Sequence, residues 1–543
     1  MTPPPGGSQT TRAAAGMGAI TAVSRALGLV RVLVVTAVLG TTSLGDAFLA
    51  ANSVSNVLFE LLAAGALSAV LVPAFVDLLD RDDQPGAEQV AGGVLGVALA
   101  LLGAITVVGV VGAPLLARLL TLGVDAGVAE DQRDLVTYLL RFFVPQVMLY
   151  AAGTVAIAVL YARRRFAVTA AAPIGNTVVM VACLAVFRAV AGPDPGLDLS
   201  TGETLLLVAA GTGGVVAFVG LLLAACSASG FRLRPRRPRG DPRVLAVLRH
   251  SGWGVVLHSG AGLLLGAAIV TGAGVEGGVV AYQVGWVIFL APYAVLAQPV
   301  HTAILPELVT EARQAGPAQV GASLRWALER IALLVLPATA AMLALASPAL
   351  RVVEFGETRS QLLAAAVAGL AVGLYPYSAF LLLARGLYAL GDSRTPGVVS
   401  LASAGVGVAA MALAATFLDG TTRVTVLGLA HSVAYAVGAL VLVVGLTRRT
   451  GTSLRPAAIG RVAAISLAVG LVGWAASEAV LDAGPGRLQA LLVVVAVGAV
   501  GALAVVAGYR SLGVSSSLSA RTVRLAGGPA EPQSHAFEPG AQP

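Results

Sequence analysis

The sequence predicts an all-α integral membrane protein of about fourteen transmembrane helices, arranged as two pseudo-symmetric six-helix lobes plus two C-terminal helices. Three observations predict the membrane bundle. Charged residues make up only 11% of the 543 residues and the mean hydropathy is +0.89, whereas a soluble domain carries about 25% charged residues. The apolar residues come in runs of about 20, the length that crosses ~30 Å of hydrocarbon as a helix rising about 1.5 Å per residue. Runs such as Leu205 to Cys226 and Leu488 to Ala507 do not alternate apolar with polar, so closed helices rather than barrel strands must satisfy the backbone.

The elements follow in order. Residues 1–12 form a polar tail that leads straight into the first span, expected over 13–40, and no cleavage-site pattern marks a removable signal. Spans are expected over 46–76, 88–117, 135–160, 167–189 and 202–228, completing an N-lobe of residues 13–230. A basic linker, 231–244, carries FRLRPRRPRGDPR and precedes a C-lobe of 245–446, with spans at 245–271, 278–305, 323–346, 361–390, 396–418 and 424–446. Spans at 457–480 and 488–509 make a final pair within 447–511, and the tail 512–543 is too polar and proline-rich to pack, so it is expected to be disordered. Two short matches suggest that the lobes are parallel repeats: LVPAF (Leu71 to Phe75) with ILPEL (Ile304 to Leu308), 233 residues on, and LYAR (Leu160 to Arg163) with LYALGD (Leu387 to Asp392), 227 residues on. Parallel repeats about an axis along the membrane normal are a transporter architecture with the site between the halves.

Charge sets the topology. All 34 basic residues are arginines: 22 fall on the side that holds both tails and the even-numbered loops, 7 on the opposite side and 5 within spans. That asymmetry places both termini in the cytoplasm. The net charge of +7 therefore reflects topology and not a nucleic-acid surface, and the linker arginines are expected either at the headgroups of anionic lipids or as a topology determinant alone. Cys183 and Cys226 lie in apolar runs and indicate neither disulfide nor metal. No phosphate-cradling loop, HExxH, GxSxG or CxxC occurs, and no soluble stretch is long enough for an ATPase. The reading is a transporter without catalytic residues or cofactor, driven by an ion gradient, the membrane potential or substrate consumption.

Buried polar residues supply the candidate site. A charge at the bilayer centre costs at least about 2.5 to 3.5 kcal/mol. Arg25 lies twelve residues into its span, and Thr21, Ser24, Gly28 and Arg31 recur at spacings of three and four, forming a stripe of polar and small residues. In the second span Asn52, Asn56 and Glu60 share one face, with Asp46 at the helix start, where it could instead act as a cap. Two readings stand: glue, in which Glu60 pairs with Arg25 or Arg31 to hold the helices together, or a water-filled cavity in which the arginines bind an anion. His258 and His301 are weaker cavity candidates, Pro145, Pro337 and Pro376 mark possible bends, and Arg385 reads as a snorkelling residue.

Ordered motifs then carry a resemblance: SRALGLVR (Ser24 to Arg31), DAF (Asp46 to Phe48), Asn56 with GALSAVLVP ending at Pro73, FFVPQ (Phe142 to Gln146), RRRFAVTAAAP (Arg163 to Pro173), PYAVLAQPVHTAILPEL (Pro292 to Leu308) and LYALGDSRTP (Leu387 to Pro396). Together they resemble the MurJ/MviN family, within the multidrug, oligosaccharidyl-lipid and polysaccharide exporter superfamily, over spans one to twelve. The resemblance implies a flippase for lipid II, the undecaprenyl-pyrophosphate-linked peptidoglycan precursor, with a cationic cavity between the lobes and a lipid-tail groove at the last two helices. It makes Arg25 and Arg31 the expected headgroup residues, with Asp46 beside them, and the polar faces of the first two spans add Ser24, Asn52, Asn56 and Glu60 in support. Many members place an acid where this chain has Val32, and basic residues where it has Phe59, Glu60 and the stretch Val287 to Pro292. The arginine-only, alanine- and glycine-rich composition suggests an actinobacterial-type variant or a degenerate paralogue. Other expected roles are export of another lipid-linked glycan or an amphipathic drug, or a non-transporting scaffold for cell-wall synthesis proteins.

Overall fold

The computed structural model describes residues 27–28, 30–66, 71–237, 242–353, 357–455, 458–481 and 486–511. The expected tails 1–12 and 512–543, and most of the first span, lie outside them. In chain order the helices are α1 (Val30–Leu39), α2 (Ser43–Ala66), α3 (Val72–Asp80), α4 (Gln84–Val111), α5 (Ala113–Leu120), α6 (Ala129–Phe143), α7 (Gln146–Ala162) and α8 (Phe166–Ala191). Next come α9 (Thr201–Val208) and α10 (Gly214–Ala228), joined by a π-turn at Ala209–Gly213, then α11 (Pro242–Gly272). A second π-turn, Tyr293–Ala297, joins α12 (Gly278–Pro292) to α13 (Gln298–Gln314). The remainder are α14 (Pro317–Val353), α15 (Glu357–Ala371), α16 (Leu374–Ala389), α17 (Arg394–Phe417), α18 (Gly420–Thr450), α19 (Ile459–Leu481) and α20 (Arg487–Ser511).

Among the described residues eleven helical stretches are long and apolar enough to cross a membrane, and the pair α15 and α16, bent by 43°, makes a twelfth. The expected count of fourteen is therefore met by twelve. The first expected span is described here only as the short apolar α1, and the second is divided between α2 and α3. Starts are set by local chemistry: the Asp83 side chain accepts the Gly86 N–H at 2.9 Å to open α4, and Ser200 and Glu203 form a reciprocal capping box at α9. Of the three prolines expected to bend spans, Pro145 lies at the α6–α7 break and Pro376 just after the α15–α16 break, whereas α14 runs through Pro337.

The helices pack in two groups. Helices α2 to α10 surround two cores, one around Phe48, Leu139 and Phe143 and another around Phe75, Leu160 and Phe231. Helices α11 to α18 surround a third, which holds Tyr282, Phe289, Leu324 and Phe380. Between the groups α2 packs on α11 and α12, and α19 and α20 pack on α14 outside both. The linker is shorter than expected, since α11 begins at Pro242. Its first part lies along α4: the Arg236 N–H donates to the Gly92 carbonyl at 2.8 Å, and a Cβ at Gly96 would fall 2.0 Å from the Arg236 carbonyl oxygen, so only glycine permits the approach.

The two ends of the bundle carry different loops. At one end Arg163 donates to the Ser229 carbonyl and to Gln84 Oε1, Arg449 pairs with Asp392 at 2.5 Å, and Thr452 reaches the Ala318 carbonyl. These contacts join the even-numbered, arginine-rich loops. At the other end α1 and α2 meet the start of α12, and Arg359 faces Asp194 at 3.9 Å. The repeat register also sharpens. Leu71 has π-helical backbone two residues before Pro73, and Ala297 ends a π-turn two residues before Pro299; 297 − 71 and 299 − 73 both give 226. That separation agrees with the 227 between the LYAR and LYALGD motifs, not with the 233 between LVPAF and ILPEL, because Pro306 lies two turns beyond the position equivalent to Pro73.

Candidate functional site

The site is built where side chains of α1, α2 and α7 come together. Arg31, half-buried in the first turn of α1, lies within electrostatic reach of the Tyr150 hydroxyl on α7. Tyr150 in turn donates to Asn56 Oδ1 on α2 at 3.3 Å. Asn52 sits one turn before Asn56 on the same face and is also half-buried. One cation, one hydroxyl and two amides thus line a single face, a donor-rich arrangement suited to phosphate oxygens. Ser24 and Arg25 lie outside the described residues, as does the side chain of Glu60, which falls on α2.

Asp46 stands in the first turn of α2 but faces the other lobe. Its Oδ2 accepts the Gly277 N–H at 2.8 Å and its Oδ1 accepts the Val280 N–H at 2.9 Å, with the side chain fully buried. Those two donors belong to the start of α12, where the first N–H groups have no intrahelical partner and the macrodipole is positive. Asp46 is therefore the cap of α12 supplied by the opposite lobe. Gly277 makes the approach possible: it has φ +76°, and a Cβ there would lie 2.6 Å from Thr41. One turn further along, the Gln283 amide donates to the Leu49 carbonyl at 3.2 Å. These contacts close the seam at the arginine-poor end.

The weaker candidates lie elsewhere. His258 is half-buried, and its Nδ1 is 2.9 Å from the Gly254 carbonyl of its own helix. His301 is fully buried within the C-lobe, 3.4 Å from the Tyr293 hydroxyl. Arg385 does not snorkel: its Nη1 is buried without a hydrogen bond, beside Tyr293 and Tyr377, because α16 packs inside the lobe at that level. Two positions where the resemblance led one to expect charged residues, a base at Phe59 and an acid at Val32, are filled by packing. Phe59 stacks on Tyr150 with ring centroids 4.3 Å apart, and Val32 packs on the core formed by Val280, Val284 and Val367. Tyr150, Gln283 and Gly277 are residues that sequence reasoning missed. The polar spacing of Gln146 and Tyr150, four apart on one face of α7, was the available signal for the first.

One cavity opens beside this seam and another lies outside both lobes. A polar crevice of about 580 Å³ opens at the arginine-poor end between Thr42, Asp131, Asp194, Asp198, Glu276 and Arg359. An apolar groove of about 440 Å³ runs between α19 and α20, lined by Val469, Val472, Gly473, Val497 and Val500. Among the described residues no cluster of His, Cys, Asp or Glu could hold a metal ion.

Comparison with known proteins agrees with this architecture. The family model described as "Lipid II flippase MurJ" matches residues 35–496. A probable lipid II flippase MurJ of Rhizobium tropici is 29% identical over 395 residues, covering 70% of this chain and 71% of the relative. One of Rhizobium meliloti is 27% identical over 450 residues, 80% of each chain. The lipid II flippase MurJ of Burkholderia cenocepacia is 26% identical over 402 residues, 72% of this chain and 75% of its own. Among solved structures a lipid II flippase MurJ in an inward closed conformation superposes with a TM-score of 0.70 at 16% identity, covering 91% of this chain and 99% of that one. An inward-facing multidrug resistance MATE family transporter of the MOP superfamily superposes at 0.61 and 15% identity, covering 79% and 94%.

Proposed function

The chain belongs to the lipid II flippase family MurJ, and from that membership we propose that it carries lipid II across the bacterial inner membrane by alternating access, as a transporter and not an enzyme. Arginine asymmetry supports an orientation with the arginine-rich end in the cytoplasm. In that orientation the seam is closed on the outer side, and the face formed by Arg31, Asn52, Asn56 and Tyr150 receives the pyrophosphate headgroup from the cytoplasmic leaflet, with Arg25 and Glu60 completing it. The apolar groove between α19 and α20 suits the polyprenyl tail.

The observation that carries this reading is the pair of hydrogen bonds from Gly277 and Val280 to Asp46. Hydrogen bonds to such a carboxyl contribute roughly 1 to 3 kcal/mol each, and reversing a 1:99 population takes about 5.5 kcal/mol. The closure is thus strong enough to hold one state and weak enough for cargo binding plus a driving ion or membrane potential to overcome. Opening the outer side breaks both bonds and separates α2 from α12. Depletion in cells tests the cargo: lipid II accessible from outside should fall as the protein is lost. Undiminished exposure would assign the transporter another lipid-linked glycan or an amphipathic drug, a reading favoured by Phe59 and Val32 standing where many relatives carry charged residues.

The linker supports a partner at the cytoplasmic surface. Arg232, Arg234 and Arg237 are exposed on a segment held against α4, so their charges sit at a fixed level suited to anionic headgroups. The same arginines could recruit cell-wall synthesis proteins, and that scaffold role predicts that neutralising the linker abolishes function while Arg31→Ala does not.

A further inference from the structure

A second apolar groove, of about 520 Å³, lies between the lobes and not outside them. One wall belongs to the N-lobe, with Val57 on α2 and Ile105 and Val108 on α4, and the other to the C-lobe, with Gly262, Gly266 and Ile269 on α11. The facing helices touch at one level and part at the next. A Cβ at Gly262 would lie 2.8 Å from Val57, whereas one at Gly266, a turn further on, would meet nothing within 4 Å. The groove offers hydrocarbon alone: Ser53 carries the one hydroxyl among its lining side chains and donates it to the Leu49 carbonyl at 2.7 Å. Its rim faces lipid, since Val108 is 73% exposed on the strongly apolar α4.

Depth fixes the leaflet. Gln84, where α4 begins, bonds to Arg163 at the arginine-rich end, and Ile105 lies 21 residues, or about 32 Å, further along. Arg118, exposed in the last turn of α5 between the groove residues Leu116 and Leu120, extends its charge to the outer headgroups. In the orientation given by the arginine asymmetry the groove therefore runs in the outer leaflet, just beneath its headgroups.

We propose that this groove binds one acyl chain of an outer-leaflet phospholipid and that the bound chain favours the closed outer side. An empty groove would leave its lining atoms without dispersion partners on one side, and acyl chains are the apolar liquid present at that depth. The polyprenyl tail is assigned to the groove between α19 and α20, which pack on α14 outside both lobes. Coupling follows from the two walls. Helix α11 leads through a short turn into α12, whose start is held by Asp46, so the movement that takes α12 from α2 also takes α11 from α4. A chain seated in the groove touches both lobes only while that side is closed, and a ligand that binds one state better shifts the population toward it. The inference rests on the two-lobed transporter reading but not on the identity of the cargo.

The test reconstitutes the full chain in phosphatidylcholine vesicles that contain phosphatidylcholine with a mid-chain diazirine. Irradiation should attach lipid to the buried lining residues Ser53, Val144 and Ile269 as well as to the exposed Val111 and Leu115. Gly266→Leu fills the open level and should lose the first set of adducts while keeping the second. Gly252→Leu, on the same helix with nothing within 4 Å of the added Cβ, should keep both. In a sterol-based detergent, spin labels at Thr42 and Glu276 on the rim of the outer crevice should move toward the short distance when phosphatidylcholine is added. The ratio of short to long populations should rise about threefold, and Gly266→Leu should not respond, whatever its starting ratio. No adducts on the buried lining, adducts there that survive Gly266→Leu, or distances indifferent to added phospholipid would overturn the proposal. Displacement of those adducts by lipid II would assign the groove to the cargo's tail, and disulfide cross-linking of two copies through Ile105→Cys would assign it to a second chain; either would overturn it as well. Adducts and distances that behave as expected in a protein that does not move lipid II would support the site and count against the cargo alone.

Discussion

The Gly277 N–H and the Asp46 carboxyl, 231 residues apart in sequence, meet at 2.8 Å where the two lobes touch. A helix start in one lobe is thereby capped by an acid of the other, so helix capping and lobe closure are one interaction.

Removing that acid should therefore release the closure. Asp46→Ala loses both bonds and leaves the α12 donors bare, whereas Asp46→Asn keeps an acceptor for one of them. Spin labels at Thr42 and Glu276, both on the rim of the outer crevice, should report a large loss of the short-distance population in the alanine variant and a smaller loss in the asparagine variant. Unaltered distances in Asp46→Ala would show that packing alone holds the seam.

Gly277→Ala adds a Cβ to a left-handed residue, which costs about 1 to 2 kcal/mol, and drives it into Thr41, 2.6 Å away. Gly230→Ala is the control: φ is +77° and nothing lies within 4 Å of the added Cβ. Unfolding midpoints in detergent should fall in both, by clearly more at 277. Equal falls would show that α1 and α12 yield to the clash.

Tyr150→Phe removes the hydroxyl that links Asn56 to the surroundings of Arg31 while keeping the ring stack on Phe59. Flipping should slow about fivefold, the equivalent of about 1 kcal/mol for one hydrogen bond, with the protein folding normally. Phe59→Leu should disturb stability more than rate.

Asp392, in the loop between α16 and α17, should make stability depend on pH. Burial works to raise its carboxyl, and hydrogen bonds from Thr395 together with the Arg449 pair outweigh burial and hold it below the ordinary carboxylate range. A carboxyl depressed in the folded state stabilises above its unfolded value, about 4, and loses that contribution as pH falls through its folded value. The gap in melting temperature between the parent and Asp392→Asn should thus be full near neutrality and close on acidification. A gap independent of pH would remove the carboxylate from the explanation.

Much of this was legible from sequence because lipid imposes long apolar runs and arginine marks one side. The end-to-end alternation of loops follows from charges such as Arg163 and Arg449, which meet even-numbered loops in the structure. Asp46 was legible as a helix-start acid, but its partners are backbone N–H groups of Gly277 and Val280, which leave no side-chain signature in a sequence. Tyr150 was missed because an aromatic in an apolar helix reads as packing. Arg385 misled for a related reason: snorkelling is judged by distance to the helix end, and only the packing of α16 beside Tyr293 and Tyr377 keeps its Nη1 inside.

The central claim, that the face around Arg31 binds the cargo headgroup, is tested most directly by flipping of labelled lipid II in proteoliposomes. Arg31 removes one of few cations available to a pyrophosphate, and a charge-assisted hydrogen bond there is worth about 1.5 to 3 kcal/mol. Arg31→Ala, reconstituted at the same density as the parent, should flip at least tenfold more slowly, and Arg31→Lys should recover part of the loss. Equal rates for Arg31→Ala and the parent would contradict the claim.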